Sequence, residues 1–229
     1  MQASRIPTGS KALDKFLHGG YETDIITTIY GPGGTGKTNL CMLCAATIAR
    51  SGKKVIYIDT EGGFSLERLK QIAPDWKKIL DNILILKPTS FSEQQKTFEK
   101  LKDLVTNKIG LIVVDTIAML YRIALGHNDT FDINKELGVQ ISYLNEIARK
   151  KHIPVLITSQ VYSRLEKDNK INIVGGDILK YSSKCLIELQ KISGNKKRLF
   201  LRKHRSIAPK SMLFEIVYGG IIGSKSGKD

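Results

Sequence analysis

The chain has 229 residues, 41% of them hydrophobic and 25% charged, which is enough to bury a full core in one domain and too apolar for a disordered, solvating protein. Lys and Arg number 36 against 22 Asp and Glu, a formal charge of +14 that makes a polyanion the natural partner class. No apolar run reaches the length of a membrane span, "MQASRIPTGS" lacks the apolar core of a signal peptide, and three cysteines do not make a disulfide scaffold, so a soluble cytoplasmic protein is expected.

The first apolar run leads directly into a glycine-rich loop, "ITTIYGPGGTGKTNLC" at 26–41. Gly31 and Gly36 followed by Lys37 and Thr38 fit the phosphate-loop pattern G-x-x-x-x-G-K-[ST] in the strand-to-helix setting it requires. Glycines at 31, 33, 34 and 36 let successive N–H groups converge on phosphate oxygens, Lys37 neutralises the β and γ phosphates, and the Thr38 hydroxyl can ligate Mg²⁺ at a helix N-terminus. The segment Gly31, Pro32, Gly33, Gly34, Thr35, Gly36, Lys37, Thr38 and Asn39 is therefore the expected contact surface of a nucleoside triphosphate. Cys41 and Cys44 fall on the helix that follows and, with Cys185, read as core residues, a metal or redox role being the lesser alternative.

Further along, "KKVIYIDTEGG" predicts a strand ending near Asp59, "LDNILILKP" one near 83–87, and "IGLIVVDT" a fourth. Leu137, Ile141, Leu144, Ile147 and Ala148 recur at helical spacing, and "PVLITSQV" closes the series. Apolar strands alternating with amphipathic helices imply an α/β fold: a mainly parallel twisted sheet flanked by helices, with ligands at the carboxyl ends of its strands. Beyond 183 the period changes. "SKCLIELQK", "KKRLFLRKH" and "SMLFEIVYGGI" read as consecutive strands, a C-terminal antiparallel extension of the parallel core. One domain over 1–222 with a mobile tail at 223–229 is the expected organisation.

Three strand ends carry polar residues suited to phosphate chemistry. Asp115 ends the run Leu111–Val114, where a carboxylate can hold the water shell of Mg²⁺; capping the next helix is the simpler role. Glu61, just past the strand that ends near Asp59, can polarise a water as general base, or be an exposed loop glutamate. Gln160 can hydrogen-bond a terminal phosphate and report it to the segment behind, or be an ordinary strand-end amide. The segments 121–134 and 161–176 read as long polar loops on this same side. They carry Arg122, Arg164, Lys167 and Lys170 for nucleic-acid phosphates, with Tyr162 and His127 as stacking groups. Lysine outnumbers arginine, and thermophily or genome composition gives the same bias, so "GNKKRLFLRKHR" and "ARKKH" also read as solvated faces.

Taken together, "IPTGSKALDKFLHGG", "YGPGGTGKT", "YIDTEGGFSLERL", "LIVVDT" with "LYR", "ITSQV" and "GGDILKYSSKCLIEL" resemble, in this order, the RecA/Rad51 recombinases over almost the whole chain, most closely their single-domain archaeal paralogues. The resemblance implies a RecA-like P-loop ATPase core, ATP and Mg²⁺ as cofactors, slow hydrolysis, and DNA, single-stranded or duplex, as partner in a nucleoid-associated recombination or repair role. It implies a homo-oligomer or a recombinase partner protein and no membrane. Residue by residue it gives Lys37 and Thr38 the phosphate and Mg²⁺ contacts, Glu61 catalysis, Asp115 the Walker B role and Gln160 nucleotide sensing. It sets Arg68 against the adenine, and Lys203 and Arg205 of "KHR" at a neighbouring protomer's nucleotide. On a strand, Lys203 and Arg205 would share one face and Arg202, His204 and Ser206 the other. Only a few residues precede "PTGS" where larger relatives carry a DNA-binding domain and a docking linker, so filament growth through such a linker is not expected. A regulatory ATPase of the clock-protein type, assembling without DNA, is the competing class; a small-metabolite kinase would need an arginine-rich lid that the sequence lacks.

Overall fold

Five consecutive residues of "ITTIY", β-branched or aromatic, are buried as a central strand, and the sheet is built around them. The computed structural model describes residues 4–126, 130–163 and 171–224. In chain order a short ribbon of β1 (Arg5–Ile6) and β2 (Tyr21–Glu22) encloses α1 (Lys11–Phe16). Then come β3 (Ile26–Tyr30), α2 (Lys37–Arg50), β4 (Lys54–Asp59), α3 (Leu66–Ile72), α4 (Trp76–Leu80) and β5 (Ile83–Leu86). These are followed by α5 (Phe91–Leu104), β6 (Ile109–Asp115), α6 (Met119–Leu125), α7 (Thr130–Lys151) and β7 (Val155–Ser159). A small hairpin of β8 (Val161–Ser163) and β9 (Ile171–Ile173) precedes α8 (Gly176–Ser182). The chain closes with β10 (Cys185–Lys191), β11 (Lys196–Lys203), β12 (Lys210–Val217) and β13 (Gly220–Ser224).

Nine strands form one sheet in the order β13-β12-β11-β10-β3-β7-β6-β4-β5. From β10 to β5 every pairing is parallel; β11, β12 and β13 add antiparallel strands beyond β10. Successive residues face opposite sides. Val55 and Tyr57, Leu111 and Val113, and Leu156 pack with α1, α2, α3 and α4 in one core. Ile56 and Ile58, Ile112 and Val114, and Val155 and Ile157 pack with α5, α6, α7 and α8 in the other. A sheet buried on both faces explains why its strands are apolar almost throughout. Leu199, Leu201, Phe214 and Ile221 carry the first core out under the extension.

Three expectations are corrected. Residues 121–134 are not a long loop: α6 and α7 cover them, apart from a break that includes 127–129, which lie outside the described residues. The helices form because Leu120, Tyr121 and Ala124, and Ile133 and Leu137, are buried at helical spacing. The segment 161–176 is in part a hairpin, with Val161 opposite Ile173. The last strand runs to Ser224, two residues past the expected boundary, and 225–229 lie outside the described residues. Among the described residues no helix is long and apolar enough to cross a membrane. Cys41, Cys44 and Cys185 are free and buried, and burial pushes the Cys185 thiol up to about 12.

Candidate nucleotide-binding site

The sheet register brings the polar strand ends to one edge: Asp59 lies opposite Asp115, and Tyr30 opposite Ser159. Between β3 and α2 the phosphate loop folds back over this edge. Gly31 can only be glycine, since a Cβ there would stand 2.3 Å from the Leu189 carbonyl oxygen. Gly36, left-handed at φ 102°, caps α2, and a Cβ on it would meet Ile216 Cδ1 at 2.7 Å. The loop is thus clamped from β10 and β12 while the positive end of a 14-residue helix points into it. Lys37 Nζ donates to the Gly31 and Pro32 carbonyls at 2.8 and 3.0 Å, and Thr35 Oγ1 to Pro32 O at 2.8 Å. Burial lowers the Lys37 pKa, partly offset by the carboxylates of Glu61 and Asp115.

Asp115 is 3% exposed and held on both oxygens, Oδ2 by Tyr57 OH at 2.9 Å and Oδ1 by Thr158 Oγ1. The Asp115–Thr116 peptide is cis. Thr60 Oγ1 both donates to Thr116 O and accepts from Thr116 N, stapling the ends of β4 and β6. Asp59 accepts from Gly63 N and Phe64 N, at 2.9 and 3.1 Å, and so folds the turn that carries Glu61. A Cβ on Gly63 would lie 3.4 Å from Thr38 Oγ1 and 3.9 Å from Asp115 Oδ2. Hydroxyl and carboxylate therefore converge on one small space, a hard-oxygen set suited to Mg²⁺ and its water.

Glu61 Oε1 accepts from Gln160 Nε2 at 2.8 Å and from Thr116 Oγ1 at 3.2 Å. Gln160 in turn anchors the segment behind it, its carbonyl accepting from Val174 N at 3.0 Å while Ser159 Oγ donates to Val174 O at 2.9 Å. Arg122, exposed on α6, lines one crevice with Ala118, Met119, Gln160 and Val174, and Tyr162 on β8 is 43% exposed. Arg164, Lys167, Lys170 and His127 lie outside the described residues.

Arg68 stands at the start of α3. Its Nε donates to Asn39 Oδ1 at 2.7 Å, Nη1 to Gln71 Oε1 and Tyr218 O, and Nη2 to Val217 O and Gly220 O. One guanidinium thereby fixes the β12–β13 turn beside Asn39, with the Tyr218 ring 74% exposed at the same turn. Lys203 and Arg205 are elsewhere. β11 ends at Lys203, so the alternation expected through Ser206 stops there, and both residues lie toward the amino edge of the parallel strands. Lys203 Nζ donates to Lys180 O at 2.8 Å; Arg205 is bidentate on Asp24 at 2.6 and 2.9 Å and also pairs with Glu22.

The structure thus gathers residues 31–39, Glu61, Arg68, Asp115 and Gln160, places Arg122 beside Gln160, and separates Lys203 and Arg205 from them. Sequence reasoning missed Tyr57, Asp59, Thr116 and Thr158, which hold the carboxylates, and Tyr218. Of these only Asp59 had a local signal, as a carboxylate closing a buried apolar run.

A Rad51 family model matches residues 1–224. The DNA repair and recombination protein RadB of Methanobrevibacter smithii is 42% identical over 226 residues, covering 95% of each chain, and that of Methanosphaera stadtmanae 42% identical over 223 residues, again covering 95% of each. The crystal structure of a RadB recombinase superposes with a TM-score of 0.80 at 33% identity, over 94% of this chain and 97% of that one. With its RecA-like sheet and the phosphate loop at the sheet's carboxyl edge, the chain belongs to the Rad51 family, among its archaeal RadB paralogues.

Proposed function

We propose that the protein binds Mg²⁺-ATP as a conformational switch, hydrolyses it slowly, and interacts with DNA as a recombination and repair accessory protein. One observation carries this reading: the Glu61–Gln160 hydrogen bond joins the phosphate end of the sheet to the segment that starts at Gln160 and returns at Val174. A terminal phosphate is the ligand best able to compete for the Gln160 amide, and its arrival re-aims the residue that anchors that segment.

The site fits the nucleotide. Residues 31–38 would cradle the phosphates, Lys37 would exchange carbonyl partners for phosphate oxygens, and Thr38 and Asp115 would hold Mg²⁺. Arg68 and Asn39, with the Tyr218 ring, offer a platform for the base. Bound Mg²⁺ supplies charge neutralisation at the transferring phosphoryl group. Glu61 orients the attacking water and takes its proton. Both hydrogen bonds to Glu61 fall on Oε1, so Thr116 and Gln160 fix the orientation of the carboxylate. Arg122 beside Gln160, with Arg164, Lys167 and Lys170, contacts DNA phosphates, and the protein associates with itself or with a recombinase protomer.

The test is equilibrium binding to single-stranded and duplex DNA over a range of salt, with and without ATP, for the parent and Gln160→Ala. The parent should bind with a salt-dependent affinity that ATP changes; Gln160→Ala should bind ATP yet lose that change. ATP-dependent assembly with no DNA binding would overturn this reading in favour of a clock-type regulator.

A further inference from the structure

Lys191 is the last residue of β10, the strand paired in parallel with β3, and it ends over the phosphate loop. A Cβ built on Gly34 would stand 3.3 Å from Lys191 Nζ and 3.5 Å from its Cε, so the ammonium lies against the exposed, left-handed crest of the loop at φ 72°. Glu61 and Asp115 both act on Lys37, and among the described residues no ion pair holds Lys191. The two ammonium groups repel, which helps lower the Lys37 pKa. An arrangement with one cation beneath a glycine loop and another above it becomes favourable when an anion lies between them. The neighbouring Lys197 does not share this placement: its Nζ donates to Asn195 O within its own turn.

We propose that Lys191 is a second phosphate-binding cation of the nucleotide site, supplied by the same subunit from β10, which neutralises polyphosphate from the solvent side while Lys37 does so from within. The proposal rests on the nucleotide reading above and extends it: the ligand class is a nucleoside di- or triphosphate, and a monophosphate gains little from Lys191. Lys191 also opens the β10–β11 turn, closed by Ile192 N to Lys196 O at 3.1 Å, so an anion on Lys191 ties that turn to the nucleotide.

The experiment is equilibrium binding of Mg²⁺-ATP, ADP and AMP at low and high salt to the parent, Lys191→Gln and Lys191→Arg, with the melting temperature of each free protein. Lys191→Gln should weaken ATP about three- to tenfold, ADP less and AMP not at all, with the difference shrinking in high salt and Lys191→Arg restoring it. The free proteins should melt alike. If the parent binds ATP and Lys191→Gln matches it, Lys191 is a solvated turn lysine and the inference fails. Equal losses for all three nucleotides would mean a disturbed loop, and a loss of DNA affinity with ATP affinity kept would make Lys191 a DNA contact; either overturns it. A parent that binds no ATP removes the nucleotide reading first, and this inference with it.

Discussion

At the carboxyl edge of the sheet Lys37 donates to the carbonyls of its own loop, Glu61 accepts from neutral donors, and among the described residues Lys191 has no ion pair. At the amino edge the fully buried Glu22 carboxylate is enclosed by Arg5 at 3.0 Å, Arg205 and His204, and Asp24 closes on Arg205. One end holds charges whose partners are stand-ins that a ligand replaces; the other holds charges whose partners are built in. Charge alone does not mark a site in a chain of +14, whereas charge short of a fixed counter-charge does.

Mutations at the amino edge should therefore change stability, and those at the carboxyl edge ligand binding and turnover. Glu22→Ala should cost roughly 3 kcal/mol, because Arg5, Arg205 and His204 lose a buried anion while the arginines keep some water. For a domain of this size that is a fall of about 6–12 °C in melting temperature with ATP affinity unchanged. Glu61→Gln should bind ATP like the parent and lose turnover by about a hundredfold or more in single-turnover assays, since an amide keeps the shape but cannot take a proton. Lys37→Ala should weaken ATP about ten- to a hundredfold in equilibrium titration, with a smaller fall in the melting temperature of the free protein from losing the bonds to Gly31 O and Pro32 O.

The pH dependence sharpens the contrast. Burial lowers the His204 pKa more than Glu22 raises it, and Arg5, Arg205 and His18 oppose its protonation as well. The unfolded chain therefore binds this proton more readily than the folded one, and stability should fall as pH drops through the unfolded value near 6.5. Asp24, lowered by its bond to Arg205, adds a second loss at more acidic pH, as the carboxylate protonates. Melting between pH 7 and pH 5 should fall by a smaller amount in His204→Asn than in the parent.

Much of the carboxyl edge was legible in the sequence because each residue there ends an apolar run: the phosphate loop after β3, Glu61 after β4, Asp115 in β6, Gln160 after β7. What the sequence hid has physical causes. α6 was obscured because Tyr121 and Arg122 suggest a polar loop, although Leu120, Tyr121 and Ala124 face the core. The helix α5 buries Gln94, which bonds Gln140 at 2.7 Å, so a core position carries a polar letter. Arg68 meets the turn at Tyr218 across 150 residues, and Arg205 meets Asp24 across 181; no local pattern encodes either contact.

The smallest expected effect belongs to Lys203→Ala with Arg205→Ala. In the isolated subunit both side chains are occupied, Lys203 by the Lys180 carbonyl and Arg205 by Asp24 and Glu22, at the end of the sheet away from the phosphate loop. Removing them should change ATP affinity less than twofold. The Arg205–Asp24 pair is partly exposed, and the buried Glu22 keeps Arg5 when Arg205 is lost, so stability should fall by about 1–2 kcal/mol, less than in Glu22→Ala. The remaining question is whether a neighbouring protomer's nucleotide draws these cations away from their partners. To do so it must offer more than Asp24 and Glu22 already provide, and a triphosphate is the kind of anion that can. Sedimentation of the parent and the double mutant, with and without a non-hydrolysable ATP analogue, decides between them. Equal ATP-dependent assembly would leave Arg205 a structural cation of the amino edge and complete the contrast between the two ends. Assembly lost only in the double mutant would show that the amino edge of one subunit serves the carboxyl edge of the next, and the division drawn within one chain would become a contact between two.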